Sequence, residues 1–409
     1  MEPDIILRER CRVCTNTEGD RFVGVRETPK GVTVCFPLGY RLSASEEGLR
    51  RDVLQLMSVL EEFLRSPNAL AGMGEQLPQF AAFPAAACLE LISDYLRRGS
   101  WYTEREAVYR AGGRGSIDWG RTIRRELPLF QPDGSPVYTR YTVRVSSPNE
   151  RGLLTQIHRH CVYESFRRLG WLFTPGMPPK PEGELEVRRF LSVVGDKLAR
   201  TNNDREKRLF SAMSALLAYL GGEEGKKEFL FGTGAFEYVW EWLVDQLFGI
   251  RDKVRYFPTT HWRLGSAAWS NRPLEPDTIM LLDSGVYVLD AKYYRYGVTG
   301  DPFHLPGSSS IGKQIIYGEQ LASREDLRRR YGGEVPVYNA FLMPWDSGDS
   351  PQVYKIIGEA TASWRSGLCP YERIQGILVD TRYLMHHYRR DRRGERARLA
   401  GTIRQMDTR

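Results

Sequence analysis

Asp277, Asp290 and Lys292 are the residues of this 409-residue sequence whose types and spacing suit joint action on a substrate. They frame the stretch EPDTIMLLDSGVYVLDAKYY, residues 275–294, in which two apolar runs flank Asp283-Ser284-Gly285. Asp and Gly are turn formers, Gly because it tolerates positive φ, so the runs read as an antiparallel hairpin. Asp277 lies six residues before Asp283 and Asp290 five after Gly285, so strand pairing brings both to the open end. Side chains alternate along a strand, which puts Asp290 and Lys292 on one face and turns Ala291 to the other. Carboxylates are hard oxygen ligands suited to Mg²⁺, with Mn²⁺ able to take its place. Backbone carbonyls, Ala291's among them, and water would complete the shell. Such a cation polarises a phosphodiester and acidifies a bound water. A neighbouring ammonium orients that water or stabilises charge in the transition state. The plainer alternative is a hairpin with solvated aspartates and Lys292 paired to one of them.

Several elements must hold this hairpin. GAFEYVWEWLVDQLFG predicts a helix with Phe236, Val239, Trp240, Leu243 and Leu247 on one stripe. A strand is expected within DKVRYFPTTHW, a helix after the loop in PGSSSIGKQIIYGEQLAS, and a further strand at VPVYNAFLMPW. The order predicts an α/β (α+β) domain, a mixed sheet flanked by helices. Upstream, RFVGVRETPKGVTVCFPLGY reads as two strands around a turn containing Pro29 and Gly31. Helices are expected in EEGLRRDVLQLMSVLEEFLRS, in AAACLELISDYLRRG and in DREKRLFSAMSALLAYLGG, the last capped by Asp204. GRGSIDWGRTIRRELPLF reads as strand or loop. TPGMPPKPEGE, residues 174–184, holds four prolines and two glycines and is the expected boundary between a mixed α/β N-terminal domain (1–174) and a C-terminal domain (185–409).

Composition narrows the function classes. Hydrophobic residues make up 41% of the chain and charged residues 27%, enough for a core in a soluble protein. No apolar run approaches a membrane span and MEPDIILRERCRVC lacks a signal-peptide core, so a cytoplasmic protein without membrane contact is expected. Six cysteines are too few for a disulfide scaffold. Cys11 and Cys14 form a CxxC with Cys35 as a candidate third zinc ligand, but no second ligand pair follows at finger spacing. The HRHC of residues 158–161 sits in a helical pattern where positions i and i+2 do not share a face, so it reads as structural. His386 and His387 read as a surface pair. The net charge of +7 and the terminal RRDRRGERARLAGTIRQMDTR favour a polyanion partner, nucleic acid first.

The pattern Pro276-Asp277 followed by Asp290-Ala291-Lys292 resembles the PD-(D/E)xK nuclease superfamily. FGTGAFEYVWE, DAKYY and KQIIYGE together, with the upstream FVGV, FPLGY and GSIDWGRTI, resemble LlaJI-type restriction endonucleases and, more distantly, McrC nuclease subunits. The resemblance implies that Glu237 is the helical glutamate of the metal shell. Helical geometry agrees: Glu237 borders the buried stripe about 100° from Phe236, and Glu241 is expected about 40° further toward solvent. It also implies that Gln314 contacts metal-bound water or phosphate, with Lys313 a phosphate contact and Tyr317 one turn along. The implied activity is Mg²⁺-dependent cleavage of double-stranded DNA within a restriction or phage-defence system, with dimerisation serving double-strand cutting. The implied partner is an McrB-like AAA+ GTPase docking on the N-terminal part. No GxxxxGK[ST] occurs in the sequence, so another chain would hydrolyse the nucleotide. Two other readings remain: a repair-type exonuclease or junction resolvase, and a non-catalytic subunit that stimulates an NTPase.

Overall fold

The computed structural model of the chain describes residues 7–28, 31–66, 83–222 and 229–405. Contacts divide it into two compact units. One spans Pro84–Lys227; the other combines Ile6–Phe83 with Glu228–Arg409. The proline-rich stretch at 174–184 therefore lies inside the first unit, not between units. The borders instead place the N-terminal strands with the C-terminal half.

The second unit carries two sheets. β1 (Cys11–Val13), β2 (Val23–Thr28) and β3 (Gly31–Phe36) form the first, with β4 (Leu230–Thr233) closing it in the order β1-β3-β2-β4. The β2–β3 pair is the expected hairpin, Thr28 opposite Gly31; its turn residues Pro29 and Lys30 lie outside the described residues. α1 (Glu46–Leu64) follows, its first turn capped by the Ser45 hydroxyl, which accepts from the Gly48 N–H at 3.1 Å. A cap of this kind stabilises a helix by about 1 kcal/mol.

α2 (Phe236–Phe248) buries Phe236, Val239, Trp240, Leu243 and Leu247, the stripe read from the sequence. The strand expected within DKVRYFPTTHW begins only at its last residues. β5 (His261–Leu264) pairs with β6 (Ala267–Ser270) in a two-stranded ribbon separate from the main sheet. β7 (Thr278–Leu282) and β8 (Gly285–Ala291) are the expected hairpin, and α3 (Ser308–Ser323) follows. β9 (Val337–Trp345), β10 (Tyr354–Ala360) and β11 (Ile374–Asp380) complete a five-stranded sheet in the order β7-β8-β9-β11-β10. β8, β9 and β11 run parallel, and both edge strands are antiparallel to their neighbours. One face carries Ile279, Val286, Val288 and Val337 against Tyr317 and Leu321 of α3.

α4 (Thr381–His387) and α5 (Arg392–Arg404) end the described chain. Arg392–Arg404 of the arginine-rich terminus thus forms a packed helix. Leu399, Ala400 and Ile403 are buried, Arg396 donates to the Gly249 carbonyl, and Tyr354 donates to Glu395 at 2.5 Å.

In the first unit, helices Ala85–Arg98, Leu153–Leu169, Val187–Arg200 and Asp204–Gly221 accompany a three-stranded sheet of Glu104–Ala111, Thr142–Asn149 and Ser116–Ile117. Asp204 begins the last helix, but the cap is Asn203, whose side chain accepts from Arg205 and Glu206 N–H. The GSIDWGRTI segment departs from the strand-or-loop expectation after two residues. Asp118 accepts from the Arg121 N–H at 2.9 Å and starts a helix over Trp119–Arg125. His158 and Cys161 both point into the core, where His158 Nδ1 accepts from the Tyr102 N–H at 3.1 Å.

Candidate active site

Strand register assembles the site. Thr278 pairs with Leu289, and Leu282 with Gly285, leaving Asp283 and Ser284 as the turn. One step past Thr278, Asp277 stands opposite Asp290. Gly285 is required there: its φ is +142°, and a Cβ would lie 2.5 Å from the Pro336 carbonyl oxygen. Asp290 follows Val286 and Val288 on the face that α3 covers, so an apolar face ends in a carboxylate.

The two aspartates are neither solvated nor independent. Asp277 Oδ2 accepts from the Ala291 N–H at 2.9 Å. Lys292 Nζ donates to Asp290 Oδ1 at 2.8 Å, with only 21% and 12% of the two side chains exposed. Burial, then the charge of Asp290 and a hydrogen bond shared with it, hold the Asp277 carboxyl well above the usual carboxylate range. Lys292 lies in the opposite balance. Burial opposes its charge, but Asp290 and Asp277 outweigh that and raise its pKa. This is the pairing that the plainer reading of the hairpin anticipated, yet it is enclosed and shared among three groups.

The helical glutamates reverse the expected order. Glu237, in the first turn of α2, is exposed, whereas Glu241 is half-buried. Burial pushes the Glu241 carboxyl up to about 7; Lys292 pulls it down, and Asp290 and Glu237 add to the rise. The 100° spacing placed both glutamates correctly about the axis, but the direction of solvent depends on what packs against the helix. The geometric ground for preferring Glu237 over Glu241 therefore fails. Glu241 is the residue that sequence reasoning set aside, and its one-turn spacing from Glu237 was the available signal.

Behind the hairpin, Lys253 Nζ reaches the Asp277 carbonyl and binds Asp245 Oδ1 at 2.8 Å. On α3, the electrostatics single out Tyr317. Its hydroxyl is pushed up to about 12 by burial and then by Asp290 and Asp277. Gln314 is buried with neither side-chain amide atom hydrogen-bonded among the described residues, while its carbonyl accepts from Asn339 at 2.8 Å. Lys313 is exposed.

The residue after Lys292 is gripped from the first sheet. The Tyr293 hydroxyl accepts from the Leu38 N–H at 2.6 Å and lies 3.8 Å from Cys14 Sγ. Asn16 donates to the Tyr293 carbonyl at 3.2 Å. Tyr293 also packs its ring on Phe236 and Trp240 of α2. Cys14 and Cys35 are thus core thiols, and burial pushes Cys11 up to about 12.

No set of three His, Cys, Asp or Glu side chains spaced to hold a metal is present among the described residues. The chemistry of the donors nevertheless suits a hard divalent cation. Asp277, Asp290 and Glu241 are carboxyl oxygen donors that interact with one another and with Lys292, and carboxyl oxygen is the donor type such a cation takes.

A five-stranded mixed sheet carrying Asp277 beside a hairpin that ends Asp290-Ala291-Lys292 defines a restriction-endonuclease-like PD-(D/E)xK protein. The family model for the LlaJI restriction endonuclease matches residues 22–364, more than four-fifths of the chain. The chain belongs to that family. A component of the type II restriction enzyme BsuMI from Bacillus subtilis (strain 168), YdjA, is 28% identical over 275 residues. The match covers 63% of this chain and 57% of that protein, so the chain spans little more than half the length of its curated relative. A solved complex of Thermococcus gammatolerans McrB AAA+ hexamers with bound McrC aligns over 90% of this chain and 81% of the matched chain. Its TM-score is 0.34 at 16% identity, too slight a likeness to carry inference.

Proposed function

We propose that this chain is the Mg²⁺-dependent DNA endonuclease subunit of a restriction system. The observation that carries the reading is the enclosed convergence of Asp277, Asp290, Glu241 and Lys292 at the open end of the β7–β8 hairpin. The Asp277 and Glu241 carboxyls, raised by burial and by the neighbouring Asp290, are relieved by a divalent ion. Asp277 and Asp290 would hold the ion, with Glu241 or Glu237 completing the shell from α2, the Ala291 backbone beside them and Mn²⁺ able to replace Mg²⁺. Bound there, the cation supplies Lewis acidity toward a phosphodiester and a water of lowered pKa.

The chain's own residues do the remainder. Lys292, tethered to Asp290, stands on the carboxylate face, where it orients the attacking water and stabilises developing charge. Tyr293 fixes the backbone at Lys292 through Leu38 and Asn16. Gln314 and Tyr317 border the site from α3, Gln314 with an amide free to bind water or phosphate. Hydrolysis is a direct in-line displacement without a covalent enzyme intermediate.

The curated relative is named a component, and the sequence holds no phosphate-binding loop, so the chain works with a second subunit. An McrB-like AAA+ GTPase is the proposed partner. The Pro84–Lys227 unit, with Trp119, Leu127 and Phe130 exposed, is the surface proposed to meet it. No helix among the described residues is long and apolar enough to cross a membrane.

The test is cleavage of supercoiled plasmid in Mg²⁺ by wild type, Asp277→Ala and Lys292→Ala, with and without an adjacent NTPase subunit and GTP or ATP. Wild-type cutting lost in both variants is the expected outcome. Circular DNA that is linearised separates an endonuclease from an exonuclease. Absence of cutting under every condition, with partner hydrolysis still stimulated, would transfer the chain to a regulatory role.

A further inference from the structure

The β5–β6 ribbon is exposed along its whole length. Every residue from 259 to 272 is exposed, and among the described residues no helix or second sheet covers either side of it. Its two faces differ. Trp262 stands opposite Trp269, and Leu264 opposite Ala267, on one face; His261 opposite Ser270, and Arg263 opposite Ala268, occupy the other. Trp262, Leu264 and Trp269 are 60%, 65% and 68% exposed. A two-stranded ribbon is marginal in water on its own. This one is held at its base, where Asn271 donates to the Thr260 carbonyl and Leu274 to the Pro258 carbonyl, each at 2.9 Å. His261 Nδ1 and the Ser270 hydroxyl lie 3.0 Å apart across the strands.

Charge selects the occupant. The segment FPTTHWRLGSAAWSNRPL, residues 257–274, has no aspartate or glutamate in a chain that holds 51 of them. It presents Arg263, which pairs with no acid among the described residues, and Arg272, which is bound to Glu275 at 2.9 Å. Position selects it too. Asp277 lies five positions after Arg272, a reach of at most about 18 Å. A duplex with a phosphodiester at Asp277 therefore passes within that reach of the ribbon's base. The major groove of B-DNA, about 12 Å wide, admits a two-stranded ribbon whose strands lie about 4.8 Å apart.

We infer that the ribbon His261–Ser270 is the groove-contacting element of this chain. Its Trp262–Trp269 face packs on the wall of a DNA groove, and Arg263 meets the phosphate backbone. The inference rests on the nuclease reading and adds to it a DNA-positioning element that the catalytic motif does not contain. An apolar face seated in a groove reads thymine methyls and base edges, whereas the arginine contributes salt-dependent affinity without sequence preference.

The experiment measures binding of a fluorescent duplex to the full chain carrying Asp277→Asn, over a series of salt concentrations. Into that background go Trp262→Ala with Trp269→Ala, and separately Arg263→Ala, which leaves the tryptophan pair intact. The tryptophan variant is expected to bind about tenfold or more weakly. Arg263→Ala is expected to lower the slope of log affinity against log salt by about 1. Affinity and slope unchanged in both variants, with the parent binding normally, would overturn the ribbon's role and leave the nuclease reading standing. A parent that binds no duplex, with a wild type that cuts none, would overturn both. Altered sedimentation with unaltered DNA binding would make the ribbon a contact between copies and equally end the inference.

Discussion

A carboxylate buried beside two others is stabilised only when protonated or when a cation joins it, and Glu241 is such a group. Its carboxyl sits at about 7 against an ordinary 4.5. Between those values the folded, metal-free chain holds a proton that the unfolded chain has released. The site's contribution to stability is therefore complete below pH 4.5 and is lost as pH rises to 7. Glu241→Gln removes the loss. At pH 8 in chelator, the variant should be more stable than wild type by about 1–3 kcal/mol in urea unfolding, while its Mg²⁺ affinity falls about 10–100-fold. The exposed Glu237, changed to Gln, should move stability by no more than about 0.5 kcal/mol. A destabilised Glu241→Gln at pH 8 would show that this carboxyl does not share the site. In the first unit His158 works with the opposite sign. Burial lowers it from 6.5 to about 4, so its contribution is intact above pH 6.5 and lost as pH falls from 6.5 to 4. The loss is on the order of 3 kcal/mol. His158→Gln should flatten that acid limb when melting is followed from pH 7 to 4.

At the scale of elements, the β7–β8 hairpin does the positioning, and its turn is the point of greatest sensitivity. Gly285→Ala places a side chain at φ +142° and against the Pro336 carbonyl. The expected cost is about 2–4 kcal/mol by denaturant unfolding, with cleavage reduced because Asp277 and Asp290 lose register. Register here is legible in sequence because it is local. Alternation and a two-residue turn fix which side chains meet across an antiparallel pair. The ribbon shows the reverse. Nothing in HWRL distinguishes a strand joining the main sheet from one pairing only with AAWS, since alternation is the same in both.

For the whole molecule, the governing fact is that one unit is inserted into the other. Phe83 and Phe229 flank the insertion, and their rings lie 4.3 Å apart. Replacing Pro84–Lys227 by a short Gly/Ser linker should therefore leave the second unit folded, with a single cooperative melt. Removal of residues 1–184 should instead give an unstable, protease-sensitive fragment. That cut deletes β1–β3 and α1, strips β4 of its partner and takes away the Leu38 and Asn16 contacts to Tyr293. Limited proteolysis of the two variants decides between this architecture and a boundary at 174–184.

The sequence by itself determined the features whose cause is short-range. The Asp277–Asp290–Lys292 constellation, the stripe of α2, the helix in PGSSSIGKQIIYGEQLAS and the β2–β3 hairpin all follow from turn chemistry and periodicity within about 20 residues. Only the tertiary structure decided that Leu230–Thr233 pairs with Val23–Arg26 across the insertion, that Glu241 is more enclosed than Glu237, and that the terminal arginines cover a packed helix. Those outcomes depend on which distant surface excludes water from a given side chain. Periodicity states which residues share a face but not what that face meets.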